Sequence, residues 1–345
     1  MKATKLKKGG YSVRVYLGKE NGKEIYKKVS ALTEKEARAK ARKLKAQYEL
    51  SLVENTTEKS PTLYEAITSY IEARYSVLSP STIRGYYSIR DHSFKSIMQL
   101  PLDSITPEQV QREISAEASK HTPKTVRNKL ALFITVYNNY ALRPKKLSLN
   151  VPQREKKKVH MPTREDIDKV LEYVRTSPYA DTMELAILLG AFCGLRRGEI
   201  AALTWKDITG DKLTISKSQA RTSTGSYVIK APKSYAGYRE LNIPPIIQEV
   251  LKRKKRGRGR VVPLDAEEIS ACFRVIMRHV DVEKFRFHDL RHFFASTLLI
   301  LGVPDLYAIK LTGHSTTSML KTVYQHTFKS EEERYKSLIN SAFST

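Results

Sequence analysis

Cysteine is scarce in this sequence. Only Cys193 and Cys272 occur among 345 residues. Two cysteines are too few for a disulfide framework or for a zinc site built from cysteines. We therefore expect a reduced, intracellular protein.

Long apolar runs are also absent. The longest, from Leu185 to Leu195, has eleven residues, two of them glycines, whereas a helix needs about 20 apolar residues to span a bilayer. The first ten residues, MKATKLKKGG, are basic but lack the apolar stretch of a signal peptide. We expect no association with a membrane.

Several familiar enzyme motifs are missing. The sequence has no glycine-rich phosphate loop of the Walker type and no HExxH zinc motif. It also lacks the acidic clusters that two-metal nucleases use. We therefore predict no metal and no cofactor, so any phosphate chemistry must draw its positive charge from side chains.

Positive charge is abundant. Lys and Arg number 61 against 36 Asp and Glu, which gives a net charge of +25. Residues 1–50 alone contain 15 Lys or Arg and 5 Asp or Glu. Such an excess indicates a polyanionic partner, most often nucleic acid, with an anionic membrane surface as the weaker alternative.

The N-terminal part of the chain predicts a small sheet followed by a helix. Alternating runs at 11–17 and 24–29 flank Asn21-Gly22, a typical hairpin turn. Thr33 is a plausible N-cap for the helix that follows. We assign residues 1–55 to this domain, which a polar linker separates from the next.

The rest of the chain predicts three further segments of a multidomain α+β protein. Residues 60–145 have helical periodicity, with helix starts at Ser79-Pro80 and Thr122-Pro123. Residues 146–160 form a basic linker. Residues 161–345 form the largest domain, mainly α with a small β-sheet. Its strands are expected around Leu213–Ser216, Ser226–Lys230 and Arg239–Ile243.

Three short stretches of the last domain combine cations with apolar surroundings. GLRRGEI follows an apolar helix and places Glu199 where it can orient Arg196. In HDLRHFFAS, the i, i+3 spacing puts His288 and Arg291 on one helix face. LTGH is followed ten residues later by the tyrosine of TVYQH. A basic run at 252–260 is equally compatible with a solvated loop and with DNA-backbone contact.

These boxes, in this order and spacing, resemble those of the tyrosine recombinases, or phage-type integrases, from about residue 161 to 327. Lys233, followed by Arg239 six residues later, resembles the lysine hairpin of that family. The two preceding domains resemble its helical core-site-binding domain and its arm-type DNA-binding domain.

The resemblance implies a role for each of six residues. Two arginines would bind the scissile phosphate, a lysine would protonate the leaving 5′ oxygen, and a tyrosine would attack. One histidine would transfer protons and the other would hydrogen-bond the phosphate. The two arginines are Arg196 and Arg291, the lysine is Lys233 and the tyrosine is Tyr324. His288 is the histidine that would transfer protons, and His314 is the one that would hydrogen-bond the phosphate. Lys230 lies close enough in sequence to be an alternative to Lys233.

This set is chemically coherent without a metal. Guanidinium groups bind phosphate oxygens bidentately and remain protonated at neutral pH. A free phenol, with a pKa of about 10, needs neighbouring cations and a neutral histidine to become a nucleophile. The covalent phosphotyrosine preserves the bond energy, so that strands can be rejoined without ATP.

We therefore expect a site-specific DNA recombinase that integrates and excises a mobile element or prophage. The expected partners are double-stranded DNA attachment sites, three further copies of the chain in a homotetramer, and DNA-bending and directionality proteins. The resemblance implies a location in the cytoplasm of a bacterial host, in association with the nucleoid. The alternatives are a type IB topoisomerase, a DNA-binding regulator with a vestigial catalytic set, and a chromosome-dimer resolvase. The extra basic domain at 1–55 disfavours the resolvase.

Overall fold

A computed structural model describes most of the chain. The described residues are 3–6, 9–20, 23–54, 60–153, 161–232, 237–254, 257–313, 336–337, 339–341 and 343. The chain divides into two compact units. The first comprises residues 1–69, 94–120 and 128–150, and the second comprises 70–93, 121–127 and 151–345. The functional division into four segments stays a prediction.

The first unit contains the small basic sheet. It comprises β1 (Ala3–Lys5), β2 (Tyr11–Glu20) and β3 (Lys23–Ala31), antiparallel in that order, followed by α1 (Glu34–Glu54). Alternate residues of β2 face α1, because a strand turns successive side chains to opposite sides. Its core consists of Val13, Val15, Ala37 and Ala41, all fully buried. The predicted strands are confirmed, whereas the predicted turn at Asn21-Gly22 lies outside the described residues.

The predicted helix starts are confirmed as well. The Thr33 hydroxyl accepts the N–H of Glu36 at 3.3 Å, at the start of α1. Four helices then follow along the chain: α2 (Leu63–Glu72), α3 (Pro80–His92), α4 (Pro107–Ala118) and α5 (Pro123–Tyr140). Ser79 caps α3 by accepting the N–H of Thr82 at 3.3 Å. In the first unit, the rings of Phe94, Phe133 and Tyr137 form a buried row with centroids 5.7 Å apart.

The second unit is built around one apolar helix. Besides α3, its helices are α6 (Arg164–Thr176), α7 (Ala180–Phe192), α8 (Arg197–Ala202), α9 (Pro245–Arg253), α10 (Ala266–His279), α11 (Phe287–Ile300) and α12 (Asp305–Thr312). In α7 the nine residues from Met183 to Ala191 are all buried. A helix that is apolar on every side can be stable only when other elements surround it, and α6, α8, α9, α10 and α11 all contact it.

Two small antiparallel sheets flank these helices. One has the order β4 (Ile208–Thr209), β5 (Lys212–Ile215), β8 (Arg239–Asn242). The other pairs β6 (Ser218–Arg221) with β7 (Tyr227–Lys230). The three predicted strands are confirmed to within a residue or two. The strands β4 and β6 and the helix α9 were not predicted, because they are short and β6 is largely polar.

The length and the hydropathy of the helices decide whether any of them could span a membrane. Within the described ranges, every helix falls short of the length or the apolar character that crossing a bilayer requires.

Candidate active site

Arg196 stands at the junction of two helices. The helix α7 ends just before Gly194, whose φ of +64° reverses the chain, and Arg196 is the N-cap of α8. Its Nη1 donates to Glu199 Oε1 at 2.7 Å, and its Nη2 donates to the carbonyl oxygen of Gly313 at 2.8 Å. The side chain keeps 35% of its surface exposed. It is therefore held at two nitrogens and still reaches solvent.

Glu199 is the anion that orients this arginine, as the sequence predicted. It is 5% exposed, and its Oε2 also accepts the backbone N–H of Arg196 at 3.0 Å. Burial by itself raises the pKa of Glu199, but the ion pairs with Arg239 and Arg196 outweigh that effect and lower the pKa to about 2. Glu199 is therefore ionised throughout the neutral range.

Arg291 is the second predicted phosphate ligand, and it is only 1% exposed. Its Nη1 donates to the carbonyl oxygen of Gly194 at 2.5 Å. Its buried Nη2 has no hydrogen-bond partner in the described part of the chain. Burial lowers the pKa of Arg291, and repulsion from Arg196 lowers it further, to about 9. The group is still a cation at neutral pH and has a free donor, so an anion would stabilise it.

Two glycines supply the carbonyl groups that hold the arginines. Gly194 and Gly313 each end a helix in the left-handed conformation, with φ of +64° and +65°. Such helix ends favour glycine because it has no Cβ. At Gly194 a Cβ would also lie 2.4 Å from Cδ1 of Phe294. The conformation of each helix end therefore sets the position of one of the two arginines predicted to bind phosphate.

His288 lies in the first turn of α11, on the same helix as Arg291. Its ring meets the ring of His292 edge-on, with centroids 4.9 Å apart. The residue retains solvent exposure, yet the protein around it desolvates the ring and lowers its pKa, to about 4, with repulsion from His292 and Arg291 adding to this. A neutral imidazole at pH 7 can accept a proton.

A basic cleft of about 900 Å³ opens beside Arg196 and His288. Its other cations are Arg84, Arg197, Arg221, Lys230, Arg274, Arg278, Lys284 and Arg286. Among the described lining residues the single acid is Glu267, which pairs with Arg84 at 2.8 Å and with Arg221 at 2.6 Å. A concave surface with this charge attracts a polyanion.

The structure thus brings together part of the predicted set. Arg196, His288 and Arg291 lie close enough that both arginines lower the pKa of His288. Lys233, His314 and Tyr324 lie outside the described residues. Lys230, the alternative lysine, is described and lines the cleft.

Sequence reasoning gave no role to Arg239, which contacts Glu199 at 2.8 Å. The alternation of β8 was the available signal, since it puts Arg239 on the buried side together with Leu241. Within the described ranges, no three His, Cys, Asp or Glu side chains are arranged to hold a metal ion.

Comparisons with known proteins show which family the sequence of the second unit matches. Residues 162–331 match the sequence model of the phage integrase family. The chain is 23% identical to a "Tyrosine recombinase XerC-like" protein of Caldanaerobacter subterraneus subsp. tengcongensis, over 96% of both chains. It is 24% identical to the ICEBs1 integrase of Bacillus subtilis, over 96% of this chain and 97% of the relative.

Solved structures share the fold. The Tn1549 transposon integrase in complex with transposon right end DNA superposes with a TM-score of 0.66 at 18% identity, covering 79% of this chain and 99% of that one. The lambda integrase tetramer bound to a Holliday junction gives a TM-score of 0.58 at 18% identity, covering 93% and 94%. These likenesses establish an integrase-like fold of helices and small antiparallel sheets. Residues 162–331 therefore form a domain of the phage integrase family of tyrosine recombinases, enzymes that cleave and rejoin DNA.

Proposed function

We propose that this protein integrates and excises a mobile element or prophage by cutting and rejoining DNA at attachment sites through a 3′-phosphotyrosine. The observation that carries the proposal is the pair of fixed guanidinium groups. Arg196 is held by Glu199 and Gly313. Arg291 is held by Gly194, and one of its buried nitrogens has no partner in the part of the chain that the structure describes.

The two arginines supply the charge that strand cleavage requires. Attack on a phosphodiester concentrates negative charge on the non-bridging oxygens. Donors already fixed in place stabilise that charge without reorganising during the reaction. Because Arg291 Nη2 is buried and has no partner among the described residues, a phosphate oxygen would remove the desolvation cost of this nitrogen, about 1–3 kcal/mol or more for a charged group.

The proton transfers complete the reaction. The Tyr324 phenol oxygen attacks phosphorus, and its proton passes to neutral His288. The bond from phosphorus to the 5′ oxygen breaks, and that oxygen takes a proton from the ammonium group of Lys233. His314 hydrogen-bonds the phosphate. Rejoining runs the same steps backwards with the 5′ hydroxyl of a new strand, so the protons and the bond energy balance.

The N-terminal sheet has the features of a second DNA-binding module. The register of β2 and β3 places Arg14 opposite Lys28 and Tyr16 opposite Tyr26, on the side away from the buried valines. The guanidinium of Arg14 lies 4.0 Å above the ring of Tyr26. Both tyrosines are exposed, at 43% and 39%. We assign arm-site binding to this outer face.

Assembly on DNA follows from the same proposal. Lambda integrase forms a tetramer on a Holliday junction, and we propose a homotetramer for this chain, acting in the bacterial nucleoid with DNA-bending and directionality proteins. The similarity to integrases of mobile elements favours integration over the topoisomerase and resolvase alternatives.

Covalent capture of DNA tests the reaction. Duplexes of random sequence with a nick near the centre would be incubated with the protein in EDTA, and those linked to it would be recovered from a denaturing gel. We expect an adduct with the wild type and with Tyr307→Phe, an exposed control, and none with Tyr324→Phe. An adduct that survives Tyr324→Phe, or strand breakage only with magnesium, would contradict the proposal.

The products of reaction separate recombination from relaxation. Two plasmids that carry the recovered site should yield joint recombinant molecules. Relaxed plasmids without any joint product would indicate a type IB topoisomerase instead.

A further inference from the structure

Arg239 is a buried cation in the second unit that the proposed reaction leaves without a role. It begins β8, and its side chain is 1% exposed. Fully buried arginines are rare in proteins unless they are paired. Its Nη2 donates to Glu199 Oε2 at 2.8 Å, and its Nη1 lies 3.3 Å from Glu199 Oε1. Two nitrogens of the Arg239 guanidinium therefore bind the two oxygens of the Glu199 carboxylate.

That same carboxylate holds Arg196. Each oxygen of Glu199 accepts from both arginines: Oε1 contacts Nη1 of Arg196 at 2.7 Å, and Oε2 accepts its backbone N–H at 3.0 Å. Of the two cations, Arg196 is partly solvated and Arg239 is not. Glu199 thus lies between a buried anchor and the arginine that faces the cleft.

We propose that Arg239 is a positioning residue that fixes Glu199 and, through it, aims Arg196 at the scissile phosphate. The inference rests on the proposed function, because it assigns Arg196 to a phosphate. Arg239 itself does not touch DNA. A bidentate grip suits this task because it sets both the position and the plane of the carboxylate.

Removing Arg239 should change how Glu199 titrates. The charged groups that act on this carboxylate are Arg196 and Arg239 in direct contact and Arg291 at longer range. Nearby Cys193 stays a neutral thiol, because burial raises its pKa to about 12. Without Arg239 the burial of Glu199 is poorly compensated, so its pKa must rise. Once protonated, Glu199 can no longer form the ion pair that orients Arg196.

The central variant is Arg239→Met, which keeps much of the side-chain volume and removes the charge. On a captured nicked duplex, its single-turnover cleavage should be lost towards low pH and recover as pH rises, because Glu199 ionises again. Misplacement of a reacting group costs up to about 100-fold in rate. Affinity for the duplex should stay unchanged. Above about pH 5 the wild type should show no such acid limb, because its Glu199 stays ionised there and His288 titrates only near pH 4.

Further variants separate positioning from mere stability. In a Glu199→Gln background, which has no carboxylate to titrate, Arg239→Met should cause little additional loss and no acid limb. Arg239→Lys keeps the charge, so it should cleave more slowly than the wild type but without the acid limb. As a matched control, Arg175→Met removes an arginine 2.7 Å from Glu184, another buried carboxylate. It should lower stability and leave the pH profile unchanged.

A second readout needs no DNA. In protein with ¹³C-labelled glutamate carboxyls, the Glu199 resonance is the one lost in Glu199→Gln. This resonance should show that the Glu199 carboxylate stays ionised over about pH 5 to 8 in the wild type and titrates in Arg239→Met. A wild type that forms no adduct would contradict the proposed function alone. An unchanged Glu199 titration, or a loss of cleavage equal at every pH and undiminished in the Glu199→Gln background, would overturn the positioning role.

Discussion

The carbonyl oxygen of Gly194 accepts a hydrogen bond from Nη1 of Arg291 at 2.5 Å, although 97 residues separate them. The two groups lie on different elements, since Gly194 follows the central helix α7 and Arg291 belongs to α11. The turn that presents Arg196 therefore also fixes Arg291. A local change in this turn should disturb both predicted phosphate ligands together.

Gly194→Ala tests this coupling. An alanine would have to adopt φ of +64° with its Cβ 2.4 Å from Cδ1 of Phe294, so the turn must move. Strain of this kind costs about 1–3 kcal/mol, and cleavage should fall with it. The free energy of unfolding and the single-turnover cleavage rate are the measurements.

Gly210→Ala is the matched control for that variant. Gly210 has φ of +61°, but a Cβ there meets no atom within 4 Å. We expect a stability cost of about 1–2 kcal/mol from the left-handed backbone alone and a normal cleavage rate. Equal cleavage by Gly194→Ala and Gly210→Ala would refute the coupling.

Arg291→Lys should abolish most cleavage while it preserves the charge. A lysine cannot reproduce the fork that contacts Gly194 and leaves a second nitrogen for phosphate. Loss of one preorganised donor costs about 10²–10³ in rate. The comparison variant is Arg278→Ala, which removes an exposed cation from the cleft wall. That change should weaken DNA binding and reduce its salt dependence, with normal cleavage at saturating protein. If Arg291→Lys cleaved as fast as Arg278→Ala, the role of Arg291 would be wrong.

In the proposed reaction, the protonation state of His288 should determine the acid side of the pH profile of cleavage. Its pKa is lowered to about 4 by desolvation, then by His292 and Arg291, against the opposing effect of Asp289. The ring is therefore neutral, and able to accept a proton, at every pH well above 4. Protonation should block cleavage only below that value.

His292→Gln should move this limit. It removes the largest charged contributor, so the pKa of His288 should rise and cleavage should begin to fall at a higher pH than in the wild type. NMR titration of the His288 ring, together with cleavage rates over the same pH range, measures both effects. If the pKa of His288 in His292→Gln were equal to or lower than that in the wild type, the repulsion between the two histidines would be contradicted.

The outer face of the N-terminal sheet should bind DNA without contributing to cleavage. Arg14→Ala removes the cation above Tyr26, and Lys35→Ala removes an exposed cation from α1 instead. We expect Arg14→Ala to weaken binding to arm-type duplexes more than Lys35→Ala does, with cleavage of a core duplex unchanged in both. Electrophoretic mobility shifts measure the affinities. Equal weakening by the two variants would indicate nonspecific charge rather than a binding face.

Much of the fold could be predicted from local patterns. The hairpin strands, the caps at Thr33 and Ser79 and the start of α5 at Pro123 follow from alternation, capping chemistry and periodicity, all of which act between near neighbours. The short polar strand β6 escaped prediction because its pairing with β7, rather than its own composition, makes it a strand.

The candidate site divides in the same way. From the sequence by itself, the resemblance predicts which residues carry the chemistry. The three-residue spacing on one helix turn predicts that Glu199 orients Arg196, and the structure confirms that contact. Only the tertiary structure decided that Arg291 binds the carbonyl of Gly194 and that Arg239 grips Glu199. Contacts between residues so distant in the chain depend on how α7, α11 and β8 pack together. The sequence periodicity within one element contains no information about that packing.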